Sequence, residues 1–155
     1  MSPKLLSTIC YFISLSEKAS KKDLTNKKLQ KLLYYSQAWN LVLNNKPLFK
    51  EEFQAWVHGP AIPTVYKKYK NFGSKIIDIE ISQKDCSALS ASEKKLLNEI
   101  WRVYGKYDAS YLELLTHSEE PWQKARNGNM PYDASSTVIS KQSMKEYYEQ
   151  KSQKK

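Results

Sequence analysis

The chain has 155 residues, 41% of them apolar and 12% aromatic, which is material for one hydrophobic core and too little for two. Its formal net charge of +9 favours contact with phosphate, yet only Arg102 and Arg126 among the 25 basic residues carry the flat guanidinium that base and phosphate recognition recruits. Two histidines, two cysteines without a CxxC pair and four glycines leave no zinc framework, serine elbow or phosphate-cradling loop.

The chain opens with Leu5, Leu6, Ile9, Phe12 and Ile13 at three- and four-residue steps, which predicts a helix from about Pro3 to Ser16. Its apolar patch is too short to span a bilayer, and one early lysine without a small-residue cleavage site makes a poor signal peptide, so the cytoplasm is the expected location. Residues 16–23 read as a connection. Thr25 then caps a long helix from Asn26 to Asn44, with Leu24 and Leu29 placed as a hydrophobic staple. Asn44-Asn45-Lys46-Pro47 ends that helix, because asparagine tolerates the left-handed conformation and proline cannot continue the ladder.

Phe53 to Val57 is short and aromatic and is followed by His58-Gly59-Pro60, which predicts a strand and a turn. Pro63 suits the start of a helix whose face includes Val65, Tyr66, Tyr69 and Phe72, up to Gly73. Ile77, Ile79 and Ile81 alternate with Asp78 and Glu80, so residues 76–81 read as a half-buried strand pairing with residues 53–57. Ser90 and Glu93 have the spacing of a capping box for a helix with Leu96, Leu97, Ile100, Trp101 and Tyr104, ended by Gly105. A short helix from Asp108 to His117, a turn of helix from Pro121 to Arg126, and a last helix capped by Ser140 and carrying Met144, Tyr147 and Tyr148 follow. Residues 150–155 read as a disordered lysine-rich tail. The fold class is thus mainly α, a compact helical domain with a small antiparallel β element of two or three strands, spanning residues 1–149.

Chemistry is sparse. Neither His58 nor His117 has a visible partner in sequence, Cys10 and Cys86 read as reduced, semi-buried thiols, and carboxylates such as Glu51, Glu52, Asp78, Glu80, Glu119 and Glu120 read as solvated surface. No catalytic residue, metal ligand or cofactor is expected. Lys21, Lys22, Lys27, Lys28 and Lys31, then Lys67, Lys68 and Lys70, are scattered and read as solvation. Tyr34, Tyr35, Trp39, Tyr66 and Tyr69 could stack bases, but their helical spacing alongside leucines favours a core or a protein interface.

Three ordered blocks carry a family resemblance. The run from Leu29 to Trp39, LQKLLYYSQAW, with Lys46-Pro47-Leu48-Phe49 after it, resembles the opening of the Panacea domain. The segment from Glu52 to Pro63 with Val65-Tyr66, and the segment from Leu114 to Trp122, LLTHSEEPW, resemble its second and third blocks in order and spacing. Ser36 stands where alanine is common, and Ala61-Ile62 stands where the family usually has two valines. The resemblance, which covers about residues 5–148, also extends to SocA-like antitoxins and to proteins described as phage-associated. It implies a bacterial antitoxin without enzyme activity that neutralises a cognate protein toxin by direct contact. A SocA-like adaptor that delivers the toxin to a protease, or a nucleic-acid-binding regulator, is the alternative. The extra DNA-binding segment of some family members is absent from these residues. No membrane partner is implied, and neither the toxin nor the oligomeric state is legible. For Trp56, His58, Gly59, Pro60, His117 and Trp122 two readings stand: an internal junction in which the histidines bond backbone groups, or the border of a groove that takes the toxin.

Overall fold

The computed structural model describes residues 1–153, and of Gln83 and Lys84 the backbone alone. The fold is mainly α, with seven helices and one three-stranded antiparallel sheet among the described residues. The first helix, α1 (Pro3–Lys18), begins at Ser2, whose hydroxyl accepts from the Leu5 amide, and it buries the predicted stripe of Leu5, Ile9, Phe12 and Ile13. The long α2 (Asn26–Asn44) is capped by the Thr25 hydroxyl on the Lys28 amide and ends where Asn45 takes a left-handed φ of 55°. It is the central element, flanked by α1, by α4 (Ala91–Tyr104) and α5 (Ala109–His117), and lengthwise by α7 (Lys141–Gln153).

Two short strands, β1 (Phe53–Trp56) and β2 (Gly59–Ala61), form a hairpin that turns at Val57-His58, with Trp56 opposite Gly59. The other edge of β1 pairs with β3 (Val138–Ile139), placing β1 in the middle of the order β2-β1-β3. Helix α3 (Pro63–Tyr69) leaves the hairpin through a proline at its start, and α6 (Glu120–Ala125) follows α5 after two residues, of which the second, Glu119, is extended. Ser90 and Glu93 make the predicted reciprocal capping box on α4. The core joins Leu29, Leu32, Leu33, Tyr34 and Tyr35 of α2 to Phe12 of α1, Leu97 of α4, Leu112 of α5 and Tyr148 of α7.

Several sequence expectations give way. Residues 76–81 are not a strand: Ile76 makes one isolated bridge to Thr25, and the Ile77 amide donates to the Leu24 carbonyl at 2.9 Å. Both edges of β1 are already paired, so that segment has no strand to join, although its alternation still turns Ile77 inward and Asp78 and Glu80 outward. Cys10 and Cys86 are joined as a disulfide rather than standing as separate thiols. The segment around a short 3-10 helix (Gln83–Cys86) lies across α1, where Ser7 Oγ donates to the Asp85 carbonyl at 3.0 Å and accepts from the Ala88 amide at 3.1 Å. The two Cα atoms are thereby held 5.5 Å apart, within the range a disulfide spans. The expected disordered tail is helical through Gln153, because Lys151 anchors that last turn to the buried Glu119 at 3.0 Å, while Lys154 and Lys155 lie outside the described residues. Leu43, in the last turn of α2, is exposed although most of that helix is buried.

Candidate functional site

A cleft of about 720 Å³ opens between the first half of α2, the β1–β2 hairpin and α3. Trp56 and Tyr66 form one wall, edge to face with centroids 5.2 Å apart, and Trp56 Nε1 donates to Gln54 Oε1 at 2.8 Å. Tyr66 is exposed and Trp56 half-buried, so both present apolar area beside a polar tip. On the rim, His58 is exposed, with Nδ1 3.2 Å from Glu113 Oε2 on α5, while Lys27 Nζ pairs with the other oxygen of the same carboxylate. Burial would raise the Glu113 pKa, but Lys27 and His58 together hold it below the usual carboxylate value.

Lys31 lies on the cleft floor, 2% exposed, and its Nζ donates to the Pro60 carbonyl at 3.1 Å. Burial lowers its pKa from 10.5 to about 7, opposed in part by the nearby Glu113 charge. Gly59 is what lets the lysine in. Its φ of 104° is disfavoured for a side chain, and a Cβ there would stand 2.6 Å from Lys31 Cε and 2.9 Å from Thr116 Oγ1. Beside the lysine, Gln30 clasps the start of α3: its Oε1 accepts from the Ile62 amide at 2.8 Å and its Nε2 donates to the Ile62 carbonyl at 3.3 Å. The side chain of Asn26 on the same wall donates to the Tyr66 carbonyl at 3.1 Å.

Behind the hairpin, the third sequence block supports the second. His117 stacks on Trp122 with centroids 4.0 Å apart, and Trp122 Nε1 donates to the Trp56 carbonyl at 2.8 Å. Burial lowers the His117 pKa, with the Val57 backbone and Glu113 pulling the other way. Arg126 lies over the Trp122 ring at 5.1 Å and sends Nη1 to the Ala55 carbonyl at 2.9 Å and Nη2 to the Asp133 carbonyl at 2.8 Å. It thus fastens the loop before β3, whose residues Ala134 to Ser136 close one side of the cleft.

The eleven residues singled out from sequence separate by position, Tyr69 being buried beside Phe72. Tyr34 and Tyr35 are fully buried, and burial pushes both phenols far above their ordinary value, so neither ring is open to a base. Tyr35 donates to Glu119 Oε1 at 2.6 Å, Tyr148 donates to the same oxygen at 2.9 Å, and Tyr35 stacks on Tyr104 at 4.0 Å. Trp39 is half-buried and donates to the Tyr104 hydroxyl at 2.9 Å. Gly59 is buried at the cleft floor and Pro60 is buried beside it; Trp56, His58 and Tyr66 line the cleft; His117 and Trp122 brace it from behind. His58 meets a carboxylate at the surface instead of bonding backbone.

Sequence reasoning missed Lys28, Lys31 and Glu119, read there as solvated, all of which are buried. Lys28 donates to Asp23 Oδ1 at 2.7 Å and to the Gly105 carbonyl at 2.6 Å, with Trp101 beneath it at 5.7 Å. The signal for both lysines was periodicity: Leu24, Lys28, Lys31 and Tyr35 follow three- and four-residue steps along a face that buries its apolar members. No cluster of three or more histidine, cysteine or acidic side chains among the described residues could hold a metal ion, and no helix is long and apolar enough to cross a membrane.

Comparison with known proteins agrees with these blocks. Residues 29–123 match the family described as Antitoxin SocA-like, Panacea domain. Antitoxin SocA of Caulobacter vibrioides is 34% identical over 126 residues, an alignment covering 74% of this chain and 67% of the relative. No solved structure matches the chain significantly. With its blocks in order and its match spanning the centre of the fold, the chain belongs to the family of SocA-like antitoxins with a Panacea domain.

Proposed function

We propose that the protein neutralises a cognate protein toxin by direct, stoichiometric contact, without catalysis, and that the contact is made at the cleft between α2, the hairpin and α3. The observation that carries this reading is convergence: Lys31 from the first block and Trp56, His58 and Tyr66 from the second line one opening, and His117 and Trp122 from the third brace it. Aromatic anchors beside a preformed concavity suit the centre of a protein interface, where such side chains dominate binding energy. Both arginines are engaged within the chain, Arg126 on backbone carbonyls and Arg102 on Glu99, which argues against a nucleic-acid surface. The cytoplasm is the compartment this reading needs. Because that compartment is reducing, inhibition must persist with Cys10 and Cys86 as a dithiol.

Co-expression with the product of the adjacent gene tests the reading. Wild-type chain should restore growth and co-purify with that product. A Trp56→Ala/Tyr66→Ala double variant should keep its melting temperature within a few degrees yet lose binding at least tenfold. Wild type that neither rescues growth nor binds would refute the proposal.

A further inference from the structure

Two lysines three residues apart on α2 are buried to the same degree and furnished differently. Lys28 has an aspartate, a carbonyl and the face of an indole. Lys31 has one carbonyl, that of Pro60, and two N–H donors left over. The carboxylate nearest to hand is already consumed, since Lys27 takes one oxygen of Glu113 and His58 the other. Among the described residues, no carboxylate lies within ion-pair distance of Lys31, and no acidic side chain lines the cleft, whereas Lys27, Lys31 and Lys70 all do. A buried amine held in this way is a cost to the fold unless something answers it. Gly59, with its positive φ, keeps the amine beneath an open wall instead of beneath a side chain.

We infer that the cleft takes an extended acidic segment of the partner protein, with an aspartate or glutamate side chain reaching Lys31 and an adjacent apolar side chain seated against Trp56 and Tyr66. The carboxylate would do for Lys31 what Asp23 does for Lys28, supplying a charge-assisted hydrogen bond where the fold has none. The lining favours peptide over RNA. The wall aromatics meet edge to face and leave no row of parallel platforms for successive bases, and the cleft contains no arginine. This inference rests on the antitoxin reading only for the identity of the partner; the chemistry of the site stands apart from it.

The test uses the full chain and N-acetylated, C-amidated nine-residue peptides with a central Asp-Leu or Asp-Phe, against counterparts with Asn for Asp, read by fluorescence anisotropy. Asp peptides should bind wild type at least tenfold more tightly than Asn peptides. Lys31→Met should erase that preference and Lys31→Arg should retain part of it. Lys70→Gln, at the exposed rim, provides a variant that keeps its fold and should weaken the Asp peptides severalfold. Equal binding of Asp and Asn peptides, a preference that survives Lys31→Met, or binding of a uridine 12-mer in place of any peptide would each overturn the inference. Growth rescue separates this from failure of the functional reading. Rescue by wild type with no acid preference at the cleft sinks the inference alone, and absence of rescue by wild type sinks the antitoxin proposal.

Discussion

Replacing Lys31 by methionine should stabilise the free protein at neutral pH. The buried amine titrates at about 7 in place of 10.5, which corresponds to on the order of 5 kcal/mol of folding free energy spent on removing its charge from water. Methionine has similar length and flexibility and carries no charge, so the variant escapes that cost. Against this stands the Pro60 carbonyl, which loses its only side-chain donor from Lys31, a penalty of about 1–3 kcal/mol. The net expectation is a gain of about 2 kcal/mol at pH 7. The sign with pH follows from proton counts. Between pH 7 and 10.5 the unfolded lysine holds its proton while the native one has lost it, so wild-type stability rises with pH across that window. The variant lacks this contribution, and the other titrating groups are common to both proteins. Urea unfolding at pH 7 and pH 9.5 should therefore show the advantage of Lys31→Met shrinking by about 3 kcal/mol and vanishing or reversing. A variant less stable than wild type at pH 7, or a difference that does not change with pH, would refute the account of Lys31 as an unanswered buried charge.

Gly59→Ala should cost about 2–3 kcal/mol, chiefly because its φ of 104° is unsuited to alanine and secondarily because a Cβ there displaces Lys31 Cε and Thr116 Oγ1, a loss that thermal melts check. Glu119→Gln replaces a charged acceptor shared by Tyr35, Tyr148 and Lys151 and should cost about 2–4 kcal/mol, with faster amide exchange in α7 ahead of the rest of the chain. Because burial holds the His117 pKa below 6.5, the unfolded chain takes up protons first on acidification; stability should fall as pH drops from about 6.5 through the native value, and His117→Gln should flatten that part of a pH series of melts. Reduction of the Cys10–Cys86 link, which closes a span of 76 residues, should lower stability by up to about 4 kcal/mol by guanidinium titration, while rescue in co-expression stays intact.

The helices were legible because their signals are local. Apolar steps of three and four, the Thr25 cap, the Ser90–Glu93 box and the prolines at the starts of α3 and α6 all act within one or two turns. The sheet was legible only at β1. Its partners are a three-residue strand containing proline and a two-residue strand more than 80 residues away, neither of which has enough length to show alternation. Residues 76–81 show the reverse: their alternation reports two environments, core and water, and not a hydrogen-bonded neighbour. The cleft walls at Trp56, His58 and Tyr66 were nameable through the family blocks. Its floor was not, because lysine is read as surface unless its place on a helical stripe outweighs its charge, and because the partner of a buried charge is chosen by tertiary packing. The disulfide escaped for the same reason, since 76 residues of separation carry no geometric information.

The order in which the chain leaves the ribosome gives the sheet and the last helix a further meaning. β1 emerges early but acquires β3 only after residue 138, and α2 gains its lengthwise neighbour α7 only with residues 141–153. A nascent chain short of residue 138 therefore lacks one side of the cleft, and its central helix stays uncovered along a flank until residues 141–153 follow. The cleft is consequently closed late, and a product truncated before residue 138 would carry it with one side open.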